Sequence, residues 1–205
     1  MNAADRKTVE RAERRQHGKQ RRVLAIVLAL NLFLALALGV GGWWADSSAL
    51  IANALDNTSD AIVYGISLFA IGRGQAWKAL AAKWSAVLLL LFAAGVVADT
   101  LRRLLVGSEP IGLTMMAMAA GSAIINLVCL FLLRRLDADD VNLEAAETFS
   151  FNDFVSNGGV LIAGAMVLWL GQRWPDLLVG LAVAAIALKG GLDIWRSASK
   201  SDQSA

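Results

Sequence analysis

Two aspartates four residues apart, Asp56 and Asp60, stand in the middle of a largely apolar stretch, with Asn53 and Asn57 beside them. On a helix that spacing puts both carboxylates on one face, with Cβ atoms about 5–6 Å apart. Two like charges that close and away from water repel. Either one carboxylate holds a proton or a cation sits between them. A third acid, Asp153, follows Asn152 at the start of another apolar stretch. Oxygen ligands drawn from two helices suit divalent metal ions, and a site shared by two helices changes shape when those helices tilt. For Asp153 by itself, capping of a helix start accounts equally well for its position.

An aspartate at the centre of a membrane-spanning helix costs about 2.5–3.5 kcal/mol on insertion scales, so a chain that keeps several needs an interaction to offset that cost. No Lys or Arg lies inside the apolar stretches that hold Asp56, Asp60 and Asp153, so internal ion pairing does not supply it. The remaining reactive side chains carry less chemistry. His17 is the only histidine and lies in a basic arm, where it reads as solvated; Cys129 is the only cysteine and reads as a small buried hydrophobe. Asp99 is one helical turn from Arg102 and Arg103, the spacing of a local ion pair at a membrane interface. Met115, Met116 and Met118 read as packing residues. The acid-rich stretch 134–147 lacks the glycine and ligand spacing of a calcium loop and reads as a solvated connection.

The elements that must hold these residues are membrane helices. Of the 205 residues, 57% are hydrophobic, which is too apolar for an ordinary soluble domain. Stretches long enough to span a bilayer fall at about 23–44, 49–72, 79–101, 111–133, 149–171 and 175–194. The expected fold is therefore all-α, an integral membrane bundle of six transmembrane helices: a basic arm at 1–22, the helical domain at 23–195 and a polar tail at 196–205. The first apolar stretch is too long for a cleaved signal peptide and ends in Trp43 and Trp44, rings suited to the water interface. Pro175 is placed to open the sixth helix.

Short breaks make neighbouring helices antiparallel, and an even number of them brings both termini to one side. Sixteen of the 19 Lys and Arg residues lie in the arm, after the second span, at Arg134 and Arg135, or near the C-terminus; only Arg102, Arg103 and Arg173 lie on the other side. Under the positive-inside rule both termini are cytoplasmic, in a bacterial-type inner membrane. The small residues Gly158, Gly159, Gly164 and Gly180 suit close approach of helices, within one chain or in a homodimer. A net charge of +2 gives no footprint for nucleic acid, and no enzyme motif or resident cofactor site is present.

The segment 49–72, with its core Asp56-Asn57-Thr58-Ser59-Asp60, resembles the second helix of the cation diffusion facilitator family. The run Asn152-Asp153-Phe154-Val155-Ser156-Asn157-Gly158, with Trp174-Pro175-Asp176 after it, resembles that family's fifth and sixth helices. The likeness covers most of residues 20–198. It implies a transport site of two residues four apart on helix two and two residues four apart on helix five, which Asp56, Asp60 and Asp153 match at three positions. The fourth is Phe149, where zinc-transporting members usually carry histidine, and Asn152 beside Asp153 offers a carbonyl oxygen in its place. The family often carries a further cytoplasmic metal-binding domain, which the resemblance leads one to expect absent from a chain this short. The implied activity is secondary export of a divalent cation, zinc, cobalt, manganese or iron, in exchange for protons. The alternative is a non-transporting metal sensor or accessory subunit on the same scaffold.

Overall fold

The computed structural model describes residues 3–70, 75–135 and 141–203, with side chains described for most of 18–68, 83–135 and 153–196. The chain forms six helices: α1 Ala3–Trp44, α2 Ser48–Ala70, α3 Gln75–Val106, α4 Gly112–Arg134, α5 Val141–Leu170 and α6 Trp174–Gln203. No strand occurs among the described residues. Segments of four helices, Gly18–Trp44, Gly112–Arg134, Asp153–Leu170 and Trp174–Arg196, are by length and composition apolar enough to cross a membrane. A helix satisfies its own backbone hydrogen bonds, which lets these stretches sit in lipid.

The expected spans recover all six helices, but four helices run further than the spans do. Helix α1 starts at Ala3, so the basic arm is continuous with the first span, and α3 extends to Gln75 and Val106. Helix α5 begins at Val141, so most of the stretch expected as a solvated loop is helical, and α6 carries the expected polar tail on to Gln203. The physical reason is common to all four. Apolar composition marks where a span ends, whereas helices continue through Glu, Lys, Arg, Gln and Ala, which favour helix in water.

Each helix buries one stripe and shows the other to lipid. On α1, Leu24, Val27, Leu34 and Leu38 are buried, while Leu32, Phe33, Leu36 and Val40 are exposed. Helix α1 packs on α2, α4 on α5 and α3 on α6, and α2 also touches α3, α5 and α6. Two glycines let helices approach closely, as expected: a Cβ at Gly164 would meet the Gly112 carbonyl oxygen at 3.0 Å, and one at Gly180 the Ser48 backbone carbon at 2.8 Å. Within the chain, Gly158 and Gly159 do not serve this purpose, since a Cβ at either would meet no neighbouring atom within 4 Å.

At the end of the bundle bearing Trp43 and Trp44, α6 is tied to the start of α2. The buried Asp176 carboxylate accepts hydrogen bonds from the Ser47 hydroxyl, from Ser48 N–H at 2.8 Å and from Ala49 N–H at 3.0 Å. It thus caps α2 from another helix, satisfying donors that a helix N-terminus leaves open. Nearby, Arg103 pairs with Asp99 at 2.6 Å and with Asp46, and Arg102 pairs with Asp99 at 2.9 Å. The local ion pair expected at Asp99 is present and extends to the α1–α2 turn.

Candidate metal centre

Helices α2 and α5 run antiparallel, and their facing sides fix a register. Asn53 Nδ2 donates to Asn157 Oδ1 at 2.7 Å, and one turn further along the side chains of Asp56 and Asp153 meet within hydrogen-bond reach. Two ionised carboxylates this close and away from water repel each other unless a proton or a cation lies between them. Asp60 is 5% exposed and Asp153 2%, and the Tyr64 hydroxyl donates to Asp60 from the next turn of α2. One oxygen each of Asp60 and Asp153 is buried without a hydrogen-bond partner. Acceptors left in that state call for a proton donor or a positive ion.

Asp56, Asp60 and Asp153 line one cavity of about 570 Å³, together with Ser59 and Ser156. The opposite wall is apolar and comes mostly from α6, with Leu89 from α3. The sequence-predicted acids are therefore brought together, two from α2 and one from α5. Among the described residues no three acidic, His or Cys side chains already converge into a closed cage. The carboxylates share a cavity wall, and the facing wall from α6 and α3 is apolar. Continuing the register by one turn brings the α5 position of Phe149 to the level of Asp60. The side chains of Phe149 and Asn152, like that of His17, lie outside the described residues.

The helix-cap role for Asp153 does not apply, because α5 starts twelve residues earlier, at Val141. Cys129 is fully buried in an apolar cluster with Leu24, Val27, Tyr64 and Leu133, as a small hydrophobe would be. Met115 is buried in the core and Met118 packs against it. Tyr64, Ser59 and Ser156 were not singled out from the sequence. The spacings from Asp60 to Tyr64 and from Asp56 to Ser59 were available signals, since residues three or four apart share a helix face.

The model of the cation efflux transmembrane domain matches residues 24–201. Among curated relatives, the zinc transporter ZitB of Yersinia pestis is 25% identical over 88% of this chain and 61% of its own length. The metal cation efflux system protein CzcD of Cupriavidus metallidurans is 27% identical over 86% of this chain and 62% of its own. A cadmium, cobalt and zinc/H(+)-K(+) antiporter of Bacillus velezensis is 22% identical over 87% of this chain and 62% of its own. The chain thus spans about three fifths of the length of these relatives. With the matched domain reaching from within α1 to within α6, a polytopic membrane bundle and a carboxylate-lined cavity between α2, α5 and α6, the chain belongs to the cation efflux transmembrane domain family.

Proposed function

We propose that this protein exports divalent metal cations from the cytoplasm in exchange for protons, with Asp56, Asp60 and Asp153 as the ion's ligands and Asn152 as a further oxygen donor. The observation that carries this reading is that three carboxylates from two antiparallel helices line one cavity. A divalent ion cancels their mutual repulsion, and when it leaves, protons take its place on the same oxygens. Exchange follows if the cavity opens alternately to the two sides, because each occupant then carries the site across in turn. The relatives' names support zinc, cadmium and cobalt as the ion class, and the proton as a counter-ion. The oxygen-only ligand set favours harder ions such as manganese more than a histidine-containing site does.

The test is uptake of zinc, cadmium, cobalt, manganese and iron into proteoliposomes under an imposed pH gradient. Ion-selective uptake that is lost in Asp56→Ala and Asp60→Ala is the expected result. Absence of uptake for every ion by well-folded protein overturns export and leaves a sensor or accessory role. Phe149, at the level of Asp60 where a fourth ligand would stand, is the feature that favours this second reading.

A further inference from the structure

The cavity is larger and more apolar than a metal ion needs. A divalent ion with six waters fills about 180 Å³, at about 30 Å³ for each water, which is roughly a third of the 570 Å³ between α2, α3, α5 and α6. The remainder is not built for water. Every residue that α6 gives to the cavity, from Leu178 to Ile194, is apolar, and at about 1.5 Å per residue that wall runs about 24 Å along the helix. Water in such a space finds few hydrogen-bond partners. The volume falls in the range of about 300–1,000 Å³ that holds drug-sized organic molecules, and a largely apolar lining with a few polar groups is the usual character of such sites.

The cavity is also open on its flank. Leu178 and Ile186 on α6 and Val155 on α5 line it, and each is more than half exposed. Ile186 stands near the middle of the apolar segment Trp174–Arg196, at the depth of the hydrocarbon core, so the medium it meets there is lipid and not water. A side opening between α5 and α6 thus leads from the bilayer to the acids. At the inner end of that opening Asp60 and Asp153 each bury an oxygen without a hydrogen-bond partner, and so does the Ser156 hydroxyl. Unpartnered acidic oxygens at the back of an apolar slot call for a positive charge on whatever fills it.

We propose that this cavity also binds an amphipathic organic cation, a hydrophobic body bearing one positive charge, which enters from the bilayer between α5 and α6. Its charge lies against Asp60 and Asp153 and its body against the α6 wall. Charge complementarity selects this class. An acyl chain matches the apolar wall and leaves the carboxylates unanswered, whereas a metal ion answers the carboxylates and leaves the wall unfilled. The organic cation and a divalent ion then exclude each other. The inference rests on the acids lining the cavity, which it shares with the proposed export, and needs no movement of metal.

The experiment is binding of radiolabelled tetraphenylphosphonium to the protein in phosphatidylcholine nanodiscs, in EDTA, with empty nanodiscs as the baseline. Saturable binding above that baseline is the expected result, with none for tetraphenylborate, an anion of the same shape. The double variant Asp60→Asn, Asp153→Asn keeps the side-chain volumes and weakens binding at least about tenfold. Ala182→Trp, at an exposed position of the α6 wall, fills the apolar half and weakens it as much without altering an acid. Binding no greater than that of empty nanodiscs overturns the proposal. So does binding that survives in either variant, or equal binding of the borate, which would make the cavity a passive groove for lipid. Zinc titrated against the bound phosphonium reads the metal site separately: no displacement counts against metal ligation, while the acid-dependent phosphonium binding still supports this inference.

Discussion

Asp60 and Asp153 are each buried with an unpartnered oxygen, and Asp56 lies against Asp153, which supports the proposal that the three acids share one occupant. Asp60→Asn keeps the shape and removes one charge, and the expected outcome is at least a tenfold loss of divalent affinity with an unchanged elution profile, read by metal titration in detergent. On the proposed site, affinity for the ion is expected to fall as pH falls, because the ligand form of each carboxylate is deprotonated and protons compete for the same oxygens. The check is the dissociation constant measured between pH 6 and 8, and a pH-independent constant would count against carboxylate ligands. Phe149 tests selectivity. Phe149→His adds an imidazole at the level of Asp60, and the expected shift is toward zinc and away from manganese, since nitrogen ligands suit zinc better. The acids themselves were legible in the sequence: a four-residue spacing without an internal cation in an apolar stretch admits few other accounts. The cavity's second wall was not legible, because Leu, Val and Ile on α6 have the same composition whether they face lipid or an ion path.

Helix existence follows from apolar length, which is why six spans sufficed to place six helices, and helix ends follow from different physics. Val141 to Glu147 is polar enough to read as a loop, yet it is helical because Glu, Ala and Leu favour helix in water as well as in lipid. Packing between helices was legible only where it rests on a backbone approach. Gly164 and Gly180 are pressed against Gly112 and Ser48, while Gly158 and Gly159 are open, and composition does not distinguish the two pairs. The cap that Asp176 provides for α2 escapes a local reading altogether, since 127 residues separate it from Ala49. That contact has a measurable consequence. Replacing Asp176 with Ala leaves the Ser47 hydroxyl and two backbone N–H groups unpaired at a buried helix start, at a cost of about 2 kcal/mol. Thermal unfolding is expected to shift down by about 4–8 °C. Asp176→Asn, which retains an acceptor, loses less. Equal Tm for Asp176→Ala and the unaltered protein would show that α2 starts without this tie.

Across the molecule, α2 is the shared element: it packs on α1 and α5 on one side and on α3 and α6 on the other, and it carries two of the three acids. The cavity lies along that division, with carboxylates from α2 and α5 facing the apolar wall of α6. Among the described residues the hydrogen-bonded tie between α2 and α6 is the one from Asp176, so separation of the two walls is expected to be easier toward the opposite end. Which end faces the cytoplasm is set by charge: sixteen basic residues at one end of the bundle against three at the other place the Asp176 end outside. The cavity should then open most readily inward, the side from which the proposed export would load its ion. The fully buried Cys129 makes this testable, because replacing it with Ala gives a background free of thiols. In that background Glu109→Cys, in the exposed loop before α4, should react with a membrane-impermeant maleimide in intact cells, and Arg135→Cys, exposed at the far end of α4, only after the membrane is opened. The reverse pattern would place the basic end outside and make the same cavity a site loaded from outside the cell, so that the carboxylates would serve uptake in place of export.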